Sequence, residues 1–317
     1  MSEMKASRLA CLLIMLLIFC TPAYAQSYEP LPMDGPSLAP APRDECYTSA
    51  THYEDDSIWV DISDAYAGNV HYTCVRVKIQ HPSQLRSVPA QQVNQPNATF
   101  SAMSTVTARG GLIAQASNAV VAINGDFVTN EKCQVIMRQS QQVRNTANGQ
   151  FDVLIIDKSG NFDAILNCTR KDYLSYWDAN ADNMYQVYCF GPVLVKDGSV
   201  VVNPKYDNHH MIANKQTQRM AICQLGELDY MLITCDGDAI NYTYGMTVPE
   251  FAKLCETIGY QIQPEGFRMC YNLDGGNSAS IFFKRPNTQG ELVYQKLNMP
   301  ERERDLADMI CFVSLVK

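Results

Sequence analysis

Three runs end in the same way, and this repetition constrains the fold more than any other feature. Ala119-Val-Val-Ala-Ile-Asn-Gly-Asp-Phe127, Asp229-Tyr-Met-Leu-Ile-Thr-Cys-Asp236-Gly237 and Cys270-Tyr-Asn-Leu-Asp274-Gly275-Gly276 each carry a short apolar or alternating segment into an asparagine or aspartate beside a glycine. Runs of that length and composition are strands, and glycine is where the chain can leave them. In the third run Asn272 and Asp274 alternate with Tyr271 and Leu273, so the two polar side chains share one face. Asn277 tolerates left-handed backbone and Ser278 adds a hydroxyl. Taken alone, the commoner meaning of such a stretch is a hairpin with an Asp-Gly turn.

The rest of the chain is also strand-rich. Ile58–Ile62, His71–Ile79, Phe151–Asp157 with Asn161–Leu166, Val187–Gly198 with Ser199–Val202, Arg219–Cys223 and Leu306–Val316 all read as strands, several joined by Gly-containing turns. Two helices are expected. One lies within Ser104–Ser117, with Ser104 or Thr105 as cap and Val106, Ile113 and Ala114 facing inward. The other runs from Val248 to about Gly259, with Thr247 as cap, Pro249 in the first turn and Glu250 completing a capping box. The predicted fold class is α+β: mixed, mainly antiparallel sheets with peripheral helices in a single catalytic domain.

Lys5 and Arg8, the apolar core Leu9–Phe19 and Ala23-Tyr-Ala25 read as a signal peptide over residues 1–25, so the protein is expected to be secreted or extracytoplasmic. Prolines 30, 32, 36, 40 and 42 mark residues 26–45 as a disordered linker, leaving 46–317 as the folded domain. No later stretch is apolar and long enough to span a membrane. Losing the leader moves the net charge from −8 to about −9, which with no basic stripe argues against nucleic-acid binding. Ten of the twelve cysteines remain after the leader, and this even number in an exported chain predicts disulfides, although Cys235 and Cys270 lie in apolar runs that suit buried thiols. His209-His210 reads as a solvated loop. Asn97, Asn167 and Asn241 head glycosylation triplets.

The ordered set Asn124-Gly-Asp-Phe127, Gly191-Pro-Val-Leu-Val-Lys-Asp-Gly198, Arg219, Asp236-Gly237, Gly245-Met-Thr-Val-Pro-Glu-Phe-Ala252 and Asn272-Leu-Asp-Gly-Gly276 resembles the phosphodiester glycosidase family from about Ser101 onward. The chain departs from the family pattern at Asn277, where a third glycine is usual, at Cys223, where glycine is usual, and at Asp308, where asparagine is common. The resemblance implies hydrolysis of a sugar-1-phosphodiester, or a phosphorylated glycan, that releases the sugar and leaves a phosphomonoester. It implies Asp236 and Asp274 as the catalytic pair with Asp126 third, and substrate contacts from Asn124, Arg219, Gly237, Thr247, Asn272, Gly275, Gly276 and Ser278.

These residue types suit that chemistry. Positive charge grows on the sugar ring as the anomeric bond breaks, and a carboxylate can stabilise it, attack it or activate water. The departing phosphate needs its charge held, by an arginine fork or by amides around Gly275, Gly276 and Ser278. Each residue also has a plainer reading: Arg219 as a surface ion pair, Asp236-Gly237 as a turn, Thr247 as a cap alone. The carboxylates could ligate calcium or magnesium, but with no contiguous acidic loop of a known kind no cofactor is expected. Two alternatives stay open, a non-catalytic glycan or envelope-polymer binding module and a metal-dependent phosphodiesterase.

Overall fold

The structure is a computed structural model and describes residues 28–96, 98–103, 105–129, 134–149, 151–202 and 213–317. The leader, Asn97, Ser104, Cys133 and His209-His210 lie outside the described residues.

Three sheets meet at one apolar centre. The largest has eight strands in the order His52–Glu54, Ile58–Ala67, Val70–Ile79, Asp229–Cys235, Arg219–Gly226, Met269–Asn272, Val193–Lys196 and Ser199–Val200. A second runs Leu292–Lys296, Ile281–Pro286, Ala119–Asn124, Asp308–Val313 and Leu85–Pro89. A third runs Phe162–Ile165, Val153–Asp157, Met184–Cys189, Val135–Arg138 and Gln141–Asn145. Neighbouring strands throughout these sheets are antiparallel. The α+β class read from the sequence is the observed one.

The two-residue period explains how one core serves three sheets. Met220 and Ile222, Val121 and Ile123, and Leu154 and Ile156 all turn toward the shared centre. Their neighbours point the other way, each sheet toward its own helix. Ala221, Cys223 and Ile233 meet Phe251, Cys255 and Ile258 of the helix Val248–Ile262. Ala122, Met309 and Cys311 meet Ile113 and Ala114 of the helix Gly110–Ala116. Val153, Ile155 and Val187 meet Tyr173 of the helix Arg170–Asn180. These strands are buried on both faces, so they read as continuous apolar runs, and each large side chain contributes roughly 1.5–3 kcal/mol.

Several expectations change. The N-terminal helix starts at Gly110, with no side-chain cap, because Ala108–Arg109 is spent on a short pairing with Asp305–Leu306. The predicted last strand is thereby divided, and only Asp308–Val313 joins the second sheet. The helix Arg170–Asn180 gives no periodic signal because Tyr173 alone is fully buried; its Thr169–Asp172 capping box was the available clue. The expected disulfides are not formed: all nine described cysteines are free thiols, and eight of them are buried. Cysteine parity counts residues but says nothing of distance, and these thiols pack as small apolar groups.

The proline-rich stretch is no loose linker over its described part, residues 28–45. Arg86, only 2% exposed, donates from Nη1 to the Pro32 and Ser83 carbonyls (3.0 and 3.3 Å) and from Nη2 to the Gly35 carbonyl and Ser37 Oγ (both 2.9 Å). Gln139 also donates to the Gly35 carbonyl and Asn118 to that of Ala39. The proline backbone lacks partners of its own, and a buried guanidinium supplies them. Arg86→Met should therefore expose residues 28–45 to limited proteolysis and cost about 2 kcal/mol or more, because a charged donor set is lost and the carbonyls that it holds lose that donor. Mass mapping of the first cleavage sites is the check, and first cuts elsewhere would count against it.

Candidate active site

The glycine stretch 275–276 is not a hairpin turn. Met269–Asn272 belongs to the eight-stranded sheet and Ile281–Pro286 to the second, so the chain crosses between sheets at Asp274. Asn124, at the end of its own strand in the second sheet, secures the crossing: Nδ2 donates to the carbonyls of Asp274 (2.8 Å) and Gly125 (3.0 Å), and Oδ1 accepts from Ser280 N (3.0 Å). Asn272 Nδ2 donates to the Gly191 carbonyl at 2.8 Å. Both asparagines are thus engaged in holding backbone rather than pointing donors at solvent.

The glycines are required by packing. A Cβ on Gly237 would come within 2.4 Å of the Thr217–Gln218 peptide, one on Gly245 within 2.5 Å of the Thr217 carbonyl, and one on Gly275 within 2.7 Å of the Gln218 carbonyl. Gly276 N donates to Gln218 O and Ser278 N to Gly275 O. The Gly275 amide turns to Asp274 itself. The amides expected to form an anion nest are therefore used within the protein.

What this scaffold presents is a cleft of ≈ 210 Å³ lined by Asp274, Arg219, Arg304, Tyr242, Thr217, Phe190 and the 275–277 loop. Burial pushes the Asp274 carboxyl up to about 6, against the pull of Ser278, Arg304 and the Gly275 amide. Arg219 is buried, not a surface ion pair; it donates from Nε to Met246 O (3.0 Å) and from Nη2 to Lys215 O (2.8 Å), and burial lowers its pKa to about 10. Arg304 is exposed, and its guanidinium stands over the Phe127 ring at 5.7 Å.

The other predicted carboxylates, Asp236 and Asp126, are not among the residues that line this cleft. Asp236 pairs with His71 Nδ1 at 3.1 Å, while the other ring nitrogen of His71 faces Asp64 at 3.4 Å. Asp126 is buried against Arg138 (2.6 Å) and accepts from Cys189 N (2.8 Å). Arg138 also holds Asp308 Oδ2 at 2.9 Å and stacks on Tyr188 at 4.1 Å. Asp308 Oδ1 has no hydrogen-bond partner. Asp308 lines a cavity of ≈ 40 Å³ together with Asp126, Asp274, Ser278 and Arg304, and burial lifts its carboxyl to about 6. Thr247 is the helix cap, exchanging bonds with Glu250. A larger hollow of ≈ 510 Å³ beside that helix contains none of the predicted site residues.

A sequence model described as phosphodiester glycosidase matches residues 117–313, more than half of the chain. The chain belongs to the phosphodiester glycosidase family. The catalytic domain of zebrafish N-acetylglucosamine-1-phosphodiester alpha-N-acetylglucosaminidase, auto-inhibited by its pro-peptide, has a similar fold, with a TM-score of 0.58 and 16% identity over 91% of this chain and 97% of that one. A hypothetical protein from Synechocystis is similar with a TM-score of 0.52 and 13% identity over 81% of this chain and 62% of that one. At such identities the likeness concerns the fold. No curated protein matches the chain by sequence.

Arg304, Tyr242, Arg138 and His71 are neighbours of the predicted residues that the sequence did not single out. Arg304 gave no signal because its loop is irregular. Asp308 was visible only as a departure from the family pattern. A carboxyl whose folded pKa is raised favours folding below its unfolded value, near 4, and loses that contribution as pH rises through about 6. Asp274→Asn, which cannot ionise, should therefore gain about 1–2 kcal/mol on the parent between pH 4 and pH 8, given about 1.4 kcal/mol per pKa unit and partial solvent contact. Urea unfolding of both proteins at the two pH values measures it.

Proposed function

We propose that this protein is an exported hydrolase that splits a sugar-1-phosphodiester at the glycosidic carbon–oxygen bond, releasing the sugar and leaving a phosphomonoester on the other alcohol. The observation that carries the reading is a single carboxyl tuned to about 6 in the same cleft as two guanidinium groups. Asp274 is suited to assist as the carboxylate, by stabilising the oxocarbenium-like ring or by taking a proton from the attacking water. Arg304 and Arg219 supply positive charge for the departing phosphate, which needs little protonation to leave. Tyr242 and Phe190 offer rings against which a sugar can pack. Asp236, held by His71 outside this lining, takes a secondary place. The leader sequence supports export.

The test is product analysis with an N-acetylglucosamine-1-phosphodiester in heavy-oxygen water. The expected products are free sugar carrying the label and an unlabelled phosphomonoester. Label in the phosphate, or sugar that retains phosphate, would overturn the reading.

Two kinetic outcomes follow from the same geometry. Asp274→Asn should lower kcat/KM by about 10²-fold or more, whereas in the parent kcat/KM should rise with pH through about 6 as the carboxylate forms. Arg304→Gln, on an exposed side chain, should leave folding intact, weaken substrate capture by about tenfold and flatten its salt dependence, since exposed phosphate contacts are charge-driven.

A further inference from the structure

On the side of the eight-stranded sheet that the helix Val248–Ile262 covers, three thiols converge. Cys223 and Cys270 stand directly opposite one another on the neighbouring strands Arg219–Gly226 and Met269–Asn272. Cys255 comes down on them from the helix Val248–Ile262. All three residues are fully buried, and their Sγ atoms lie within 4.8 Å of one another. Ala221, Ile233, Phe251 and Phe267 belong to the same apolar cluster. Nothing in the proposed hydrolysis uses this triad.

We infer that Cys223, Cys255 and Cys270 form a binding site for one soft d¹⁰ metal ion, Cu(I). The donor set selects the metal. Calcium and magnesium take oxygen ligands, which the triad lacks. Structural zinc closes a tetrahedron of four ligands, and among the described residues the group holds three. Thiolate sulfur favours Cu(I). With metal–sulfur bonds of about 2.3 Å, three sulfurs around one ion stand roughly 4 Å apart, a separation inside the 4.8 Å that bounds the observed triangle. Binding moves no electron: the ion arrives as Cu(I), two thiols release their protons to solvent, and the third sulfur remains a neutral donor. A central position between two strands and a helix would make the ion a cross-link between the sheet and that helix.

The test uses the full chain, reduced and kept anaerobic, titrated with Cu(I) in competition with a Cu(I) chelator. One ion per chain is expected, together with a thiolate charge-transfer absorption. Cys255→Ser should lose at least the roughly tenfold in affinity that even outer partners of a metal site cost. Cys311→Ser, at a buried thiol in another cluster, should not change it. If Cys255→Ser fails to fold, X-ray absorption on the unaltered protein decides, with a sulfur-only shell at about 2.3 Å expected. Absence of stoichiometric binding, a shell of nitrogen or oxygen, tighter retention of zinc than of Cu(I), or a disulfide joining two of the three in the isolated protein would overturn the assignment. None of these outcomes bears on the hydrolase reading, because none of the three cysteines lines the Asp274 cleft.

Discussion

The Thr217–Gln218 peptide is clasped by three glycine-bearing loops, and the site depends on that contact. Gly237, Gly245 and Gly275 approach so closely that a single methyl on any of them would overlap main chain. The clasp fixes where Arg219 begins its strand, where the chain leaves Cys235 and where Asp274 crosses from one sheet to the next. Main-chain atoms cannot rotate aside as side chains can, so the distances between these loops are fixed by covalent geometry and hydrogen bonds. This is the sort of rigidity that a preorganised site requires.

Around that clasp the protein concentrates charge in poorly solvated places. Arg138 lies between Asp126 and Asp308 with all three side chains essentially removed from solvent. Breaking such an arrangement at one member strands a charge, which is far costlier than never having built it. Asp274 sits beside this group, and the Asp126 charge adds to the burial that raises its carboxyl. A neutral side chain there would suit the fold better at neutral pH, so the carboxyl at the crossing opposes stability where chemistry has a use for it.

Much was legible in the chain. The strand-to-glycine endings at Asp236 and Asp274 identified two of the three loops that close around Thr217–Gln218, and the Thr247–Glu250 spacing located a helix start correctly. What the pattern did not carry was which loops face each other. Asp236 and Asp274 look alike in sequence, yet one ends against a histidine and the other lines a cleft with two arginines. Arg304 follows no periodicity, and nothing in the sequence singled out Arg86, whose guanidinium binds the proline-rich stretch. Cysteine counting went furthest astray, because composition is blind to distance.

The sequence by itself determined the α+β class, many of the strands with their two-residue faces and the family, because local periodicity and an ordered set of short motifs are properties of the chain alone. Only the tertiary structure decided which carboxyl is desolvated, which amides and asparagines are already occupied, and which thiols meet. Those outcomes depend on the separation and solvent exposure of groups far apart in sequence, and electrostatic energies follow distance and burial rather than residue type.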